Sequence, residues 1–339
     1  MAIKLKELYK DNPEYGAPLP ALSLGKYKYV RQTDIKNKIF NTFVNSGPLL
    51  KKDDILISRV GSNAGETYIH DTEEKCVFAG FLVRYHFDDL KLKNKYFYYW
   101  TKTSKYKNQV KKMITGSGQP QFNPPVVSEL MIFIPKIETQ QQIIDIIEPI
   151  EKLEKIIIQI INNIEKSFFS RSLNFQDSIK KNIIWKTNGY AYEGYEKIND
   201  GLYKIFTIKN IIDDFKFSRT NVLKNNLINI GDLVTGLSGT IGTVGIIFES
   251  DWVSNQRTLT LRSNIPLNLK IAIEKQVDFL LKNATGAVQK NITMNDILNL
   301  KTIEKKLNDE LINKFYIKLL LLKNKIIKIK NCEIKLLIK

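Results

Sequence analysis

Two stretches of the chain place apolar residues at alternating steps of three and four. In the first, Ile143, Ile146, Ile150, Leu153, Ile157, Ile160 and Ile164 follow a helix start near Thr139, the seam of a coiled coil kept over three heptads. In the second, Ile312, Phe315, Leu319, Leu322, Ile326, Ile329 and Leu336 repeat the rhythm, with Glu333 at one seam position. Additional isoleucines at 144, 147, 156 and 161 widen the first stripe beyond a two-stranded seam. That helix is therefore expected to touch globular parts as well. Pro149 falls inside the pattern, where it should kink the helix or end a short lead-in. Each stretch predicts a helix of about 35 residues, roughly 50 Å at about 1.5 Å per residue. Two equal helices separated by a globular region are expected to pair antiparallel within the molecule.

Ahead of each helix the pattern shortens to strands and turns. The first region predicts strands at Ile55–Val60, Thr67–Ile69, Val77–Tyr85 and Leu130–Ile134, and a helix over Lys95–Ile114 whose Tyr96, Tyr99, Trp100, Tyr106, Val110 and Met113 make a core face. The second predicts strands at Tyr203–Ile208, Asp232–Gly236, Val244–Phe248 and Thr258–Arg262, with a helix near Leu269–Lys282. The expected fold is α+β, with mixed domains over 1–135 and 175–300 and long helices over 136–174 and 301–339.

The halves also share motifs. Asp54-Ile55-Leu56-Ile57-Ser58-Arg59-Val60-Gly61 leads to Thr115-Gly116-Ser117-Gly118-Gln119 and then to a long helix; Asp232-Leu233-Val234-Thr235-Gly236-Leu237-Ser238-Gly239 leads to Thr285-Gly286-Ala287-Val288-Gln289 and another. So long a period means two copies of one domain, since solenoid repeats run about 20–50 residues.

At 339 residues, each copy is large enough to bury its own core. Lys and Arg number 52 against 35 Asp and Glu, a formal charge of +17, which favours an acidic partner such as nucleic acid. An Ile-, Asn- and Lys-rich composition throughout accounts for part of that charge. Lys or Asn interrupts every apolar run before membrane-spanning length, and Met1–Glu7 has no apolar signal core. Cys76 and Cys332 form no disulfide framework. A cytoplasmic protein is expected.

Catalytic patterns are weak. Asn123-Pro124-Pro125-Val126 lacks the aromatic residue with which amino-methyltransferases stack a target adenine, and no Gly-rich turn for S-adenosylmethionine precedes it. Asp54 with Glu73-Glu74-Lys75 could be drawn as a nuclease site, yet Glu-x-Lys also occurs by chance at Glu304–Lys306. His70 and His86 have no ligand at metal spacing. The polar loops fit binding better. Arg59, Ser62, Asn63, Ser238 and Thr240 end strands among residues that can approach phosphates, while Gln119, Gln121, Asn123, Gln289 and Asn291 supply amides suited to adenine, with the cationic Lys290 beside them. Lys26, Lys28, Arg31, Arg219, Asn255, Gln256 and Arg257 complete the candidates. The same loops also suit ordinary turns. On the residues alone, a methyltransferase or nuclease and a coiled-coil scaffold binding only proteins stay open beside a DNA binder.

Taken in order, these segments resemble the specificity subunits of Type I restriction-modification systems, or the similar subunit of a Type IIB system. The pattern is the entry Tyr29-Val30-Arg31-Gln32-Thr33-Asp34-Ile35, then Asp54–Ser62, Thr115–Gln119, Ile134-Pro135 and Glu138-Thr139-Gln140-Gln141-Gln142-Ile143-Ile144. In the second half Tyr203-Lys204-Ile205-Phe206-Thr207 replaces the entry, and the Pro-then-Gln opening is missing before Lys301. The resemblance implies two target-recognition domains on an antiparallel coiled coil, each reading half of a split DNA sequence. It implies partners too: double-stranded DNA, two methyltransferase subunits and a restriction subunit. S-adenosylmethionine, ATP and Mg would be held by those partners, and this chain would bind no cofactor or metal and catalyse nothing.

Overall fold

The computed structural model describes residues 2–37, 40–114, 120–212, 217–224, 226–286 and 290–338. The chain divides into two units, Met1–Lys152 with Lys328–Lys339, and Leu153–Ile327. The first carries strands β1 (Ala2–Lys4), β2 (Glu14–Tyr15), β3 (Tyr27–Val30), β4 (Phe43–Val44), β5 (Ile55–Ser58), β6 (Thr67–Ile69), β7 (Cys76–Phe78), β8 (Leu82–Tyr85) and β9 (Met131–Phe133). Its helices are α1 (Gln32–Asn37), α2 (Asn94–Trp100), α3 (Ser104–Met113), α4 (Pro124–Ser128) and the start of α5 (Ile137–Phe169). The strands form sheets of order β2-β8-β5-β6, β4-β3-β7 and β1-β9.

Strand β5 shows why its sequence is apolar throughout. Ile55 and Ile57 pack with Tyr96, Phe97, Tyr99 and Trp100 of α2 and Tyr106 and Val110 of α3, while Leu56 packs on the other side with Val30, Phe78 and Leu82. A strand buried on both faces cannot alternate. The periodic aromatics are core, and Trp100 and Tyr106 meet edge to face at 5.2 Å, the geometry aromatic quadrupoles favour.

The second unit repeats this plan. Its strands are β10 (Leu173–Ser178), β11 (Trp185–Asn188), β12 (Tyr203–Phe206), β13 (Arg219–Thr220), β14 (Leu227–Ile228), β15 (Leu233–Gly236), β16 (Val244–Ile246), β17 (Trp252–Ser254), β18 (Thr258–Arg262) and β19 (Lys301–Ile303). Between and after them come α6 (Lys209–Ile212), α7 (Pro266–Glu274), α8 (Val277–Asn283), α9 (Met294–Leu298) and α10 (Asp309–Leu337). The sheets run β11-β18-β15-β16, β13-β12-β17-β14 and β10-β19. Among the described strands of each unit one pair is parallel, β3 with β7 and β12 with β17, and the other strand pairs are antiparallel.

Several predicted boundaries moved for local reasons. Lys95–Ile114 is two helices, because the hydroxyls of Thr101 and Thr103 donate to the Tyr98 and Trp100 carbonyls and Thr103 caps α3, local bonds that compete with helix continuation. Val77–Tyr85 is two strands in different sheets, divided by a turn in which the Leu82 N–H bonds the Ala79 carbonyl at 2.8 Å. Leu269–Lys282 is α7 and α8, separated where the Gln276 amide bonds Ala272 and Lys301. Residues 301–303 form β19 rather than helix. Pro149 does not break α5; it lies on an exposed position, where water can replace the bond it cannot donate.

The buried face of the long helices differs from the heptad seam. In the first unit Ile143, Ile144, Ile147, Ile334 and Ile338 are buried, whereas Ile146, Ile329 and Leu336 are exposed and Ile150 is half-buried. In the second, Ile157, Ile161, Phe168, Tyr316, Leu319 and Ile326 are buried; Leu153, Ile160, Phe315 and Leu322 are exposed, and Ile164 is half-buried. Adjacent apolar pairs such as Ile146-Ile147 and Ile160-Ile161 fit either phase. Polar partners select the observed one: the Tyr99 hydroxyl donates to Glu151 at 2.9 Å in the first unit, and that of Tyr316 to Glu165 in the second.

Candidate nucleic-acid interface

In each unit one end of the four-stranded sheet gathers the predicted loops. After β5 the chain enters a 3-10 turn at Gly61–Asn63, and the segment before α4 bonds onto it: the Gly61 N–H donates to the Pro120 carbonyl at 2.9 Å and the Phe122 N–H to the Arg59 carbonyl at 2.7 Å. The β7–β8 turn joins from the other side, its Phe81 carbonyl accepting from the Arg59 N–H at 3.0 Å. Below, the Tyr106 hydroxyl donates to the Gly65 carbonyl at 2.8 Å, and burial drives that hydroxyl's pKa far above the ordinary range. Gly65 has φ +83°, and a Cβ there would lie 2.4 Å from Val110; only glycine fits such a position.

Arg59 is the centre of this end. Its Nε donates to the Gly80 carbonyl at 3.1 Å and its Nη1 to Asn123 Oδ1 at 3.4 Å, and it lies 5.5 Å from the Tyr15 ring and 5.6 Å from the Phe81 ring. The Asn123 amide donates in turn to Gln121 Oε1 at 2.8 Å, so Arg59, Asn123 and Gln121 form one chain of hydrogen bonds. Asn63 donates to the Gln32 carbonyl at 3.2 Å, bringing the start of α1 alongside. Ser62 is exposed.

The second unit closes the same way. The Ile292 N–H donates to the Leu237 carbonyl at 2.9 Å, and the Leu237 N–H to the Arg257 carbonyl at 3.0 Å. Ser238 bridges to Asn291. Asn255, Gln256 and Arg257 form the turn between β17 and β18, closed by the Thr258 N–H on the Asn255 carbonyl at 2.9 Å. Gly189 lies against that turn so closely that a Cβ would fall 1.8 Å from the Asn255 carbonyl oxygen; Gly16 meets Ala79 likewise at 2.2 Å. Thr240, Gln256, Arg257, Lys290 and Asn291 are exposed at this end.

Other sequence candidates are engaged in contacts of their own. Lys26 and Lys28 flank the start of β3, Lys28 pairing with Glu74 at 2.9 Å. Arg31 is held by Asp34 at 2.9 Å, which raises the guanidinium pKa further. Arg219 bonds the Gly201 carbonyl at 2.8 Å on edge strand β13. Gln119 and Gln289 lie outside the described residues. Sequence reasoning missed Tyr15, Phe81 and the exposed lysines of α3: Lys105, Lys107, Lys111 and Lys112. The lysines were legible as a basic helix face opening onto Thr115–Gln119; Phe81 was hidden in a run that read as strand.

The weak catalytic patterns serve structure. Asp54 is buried on Arg84 at 2.7 Å, Glu73 pairs with Lys52 at 3.0 Å, and Asn123-Pro124 starts α4. His70 is buried between the Tyr68 hydroxyl and the Glu74 carbonyl. No group of three or more His, Cys, Asp and Glu that could hold a metal occurs among the described residues. Cys76 and Cys332 are free. No described helix is long and apolar enough to cross a membrane.

Residues 20–166 match the family described as Type I restriction modification DNA specificity domain. Among solved structures, the chain is similar to the S subunit of a Type-I restriction-modification system from M. genitalium: 13% identity, TM-score 0.54, covering 100% of this chain and 96% of that one. It aligns over 99% of its length with 94% of the HsdS subunit from Thermoanaerobacter tengcongensis, at 11% identity and TM-score 0.34. A search of curated proteins finds no match.

Proposed function

With residues 20–166 a Type I restriction-modification DNA specificity domain, we propose that the chain is the non-catalytic specificity subunit that reads a bipartite DNA site and directs partner subunits to it. The recurrence of one bonded loop cluster carries this reading: Arg59–Gln121 in the first unit and Leu237–Asn291 in the second rest on sheets of matching order. Two copies of one scaffold with different polar tips suit two different half-sites. Recognition domains are assigned to 1–135 and 175–300, and the helices within 136–174 and 301–339 to an antiparallel coiled coil.

Within the first unit, Ile143, Ile144 and Ile147 of α5 share a core with Ile334 and Ile338 at the far end of the chain, which supports that pairing. On α10 the exposed Phe315 and Leu322 of the second unit, and separately the exposed Ile329 and Leu336 of the first, each pair seven residues apart, suit docking of one methyltransferase subunit per unit, since exposed apolar patches mark interaction surfaces. Two methyltransferase subunits and a restriction subunit complete the assembly, and S-adenosylmethionine, ATP and Mg belong to them. The host should carry adenine methylation at one split sequence, lost when this gene is deleted. Single-molecule sequencing of both strains checks this; unchanged methylation overturns it.

A further inference from the structure

Resting on that DNA-reading assignment, we propose that Arg59, held beside Tyr15 and Phe81, reads a guanine in the half-site taken by the first unit. Most other arginines are committed to carboxylates: Arg31 to Asp34, Arg84 to Asp54, Arg171 to Asp309 and Arg262 to Asp232. Arg59 has no acidic partner among the described residues, and its bonds to the Gly80 carbonyl and to Asn123 leave N–H groups for a ligand.

This restraint argues for a base rather than a phosphate. Tyr15 and Phe81 are 50% and 49% exposed, large rings kept at the surface with their centroids 5.5 and 5.6 Å from one guanidinium. The two rings and the bonds of Nε to the Gly80 carbonyl and Nη1 to Asn123 restrain the fork, and a restrained fork is what bidentate recognition of guanine O6 and N7 requires. A phosphate contact needs only a positive charge, which the exposed lysines of α3 already provide. Arg59 also follows directly on β5, whose residues are all buried, so little freedom is lost when it engages a base. Tyr15 and Phe81 are positioning residues, acting through Arg59.

The test is selection from a randomised duplex library by the full chain, co-expressed with its methyltransferase. Wild type should enrich a split motif containing a guanine that depends on Arg59. Arg59→Lys, which keeps the charge and loses the fork, should cut the preference for guanine at one position by about 5- to 140-fold and leave the other positions intact. Tyr15→Ala and Phe81→Ala should weaken the same position by less, and Phe81→Tyr should restore it. These ring variants carry the test if Arg59→Lys does not fold. An unchanged motif in Arg59→Lys, or equal weakening on every sequence, overturns the proposal while leaving DNA reading intact. A wild-type complex that enriches no motif overturns both.

Discussion

The two units share a scaffold and differ at its polar ends. The order of the larger sheet and the parallel strand pair recur, with β14 added beside that pair in the second unit, but the polar ends exchange residue types. Arg59 and Phe81 donate and accept one backbone bond at 3.0 Å; in the second unit the same bond joins Leu237 and Arg257. The arginine has moved from the strand end to the turn. Beside it, α3 exposes four lysines where α8 carries Asp278 and Lys282. Backbone bonding fixes the frame in both, so side chains at its tip can change without disturbing the core.

The anchors of the long helices differ as well. In the first unit the buried Gln140 amide accepts from the Lys93 N–H at 2.9 Å and donates to the Lys91 and Pro135 carbonyls. In the second a buried carboxylate does comparable work: Asp309 accepts from Arg171 and Asn268, each at 2.7 Å, and from the Lys306 N–H at 3.0 Å. Both partners of the Asp309–Arg171 pair are almost inaccessible to water.

Asp309→Ala should therefore give the largest effect. It strands Arg171 in the core, at a cost of about 3–5 kcal/mol, while Gln140→Ala should cost about 1–3 kcal/mol. Denaturant unfolding with hydrogen exchange resolved by unit checks both; equal losses would erase the distinction. The pH response should differ too. Burial would raise the Asp309 pKa, but hydrogen bonds from Arg171, Asn268 and the Lys306 backbone hold it below the ordinary 3.8. The folded pKa thus lies under the unfolded one. The stabilisation is complete above pH 3.8 and is lost as the pH falls from there through the folded value. The Gln140 anchor does not titrate, so the acid-induced loss from this source should be confined to the second unit.

The exchanged arginine predicts an intermediate effect. Arg257→Ala should relax one position in the second half-site by about 1–3 kcal/mol and leave the first half unchanged. Binding to single-base variants of the selected motif measures it. Relaxation of both halves together would mean that the units do not read independently.

Much of this organisation was legible in the sequence. The duplication, the β5 and β15 strands, and the Gln121 and Asn291 loops as candidates beside the strand-end loops follow from segments quoted by residue type; that these loops bond to each other did not. The helix phase was not. With Ile146-Ile147 and Ile160-Ile161 side by side, spacing permits two faces, and the choice lies with tertiary bonds such as Tyr99 to Glu151 and Tyr316 to Glu165. The Tyr15, Arg59 and Phe81 group was also out of reach, because it is assembled from β2, β5 and the β7–β8 turn. Thr101, Thr103 and Gly80 did mark their breaks, but an apolar or aromatic periodic run on both sides outweighed them.

The lysines of α3 give the smallest and most diffuse expectation. Lys105, Lys107, Lys111 and Lys112 are exposed, and α3 is fixed under the β5–β6 loop by the Tyr106 to Gly65 bond. Charges so placed would meet the DNA backbone, where each neutralised phosphate releases condensed counterions. Lys111→Gln with Lys112→Gln should weaken cognate and random duplex alike and lower the salt slope by about 2, roughly one per lysine. Lys282→Gln, on the corresponding helix of the second unit, should lower it by about 1 or less, with Asp278 nearby in sequence offsetting the charge. Affinity at several salt concentrations, measured with the assembled complex, gives both slopes. Equal slopes for the two helices would place the electrostatic asymmetry elsewhere, and a loss confined to the cognate site would make α3 a base reader instead.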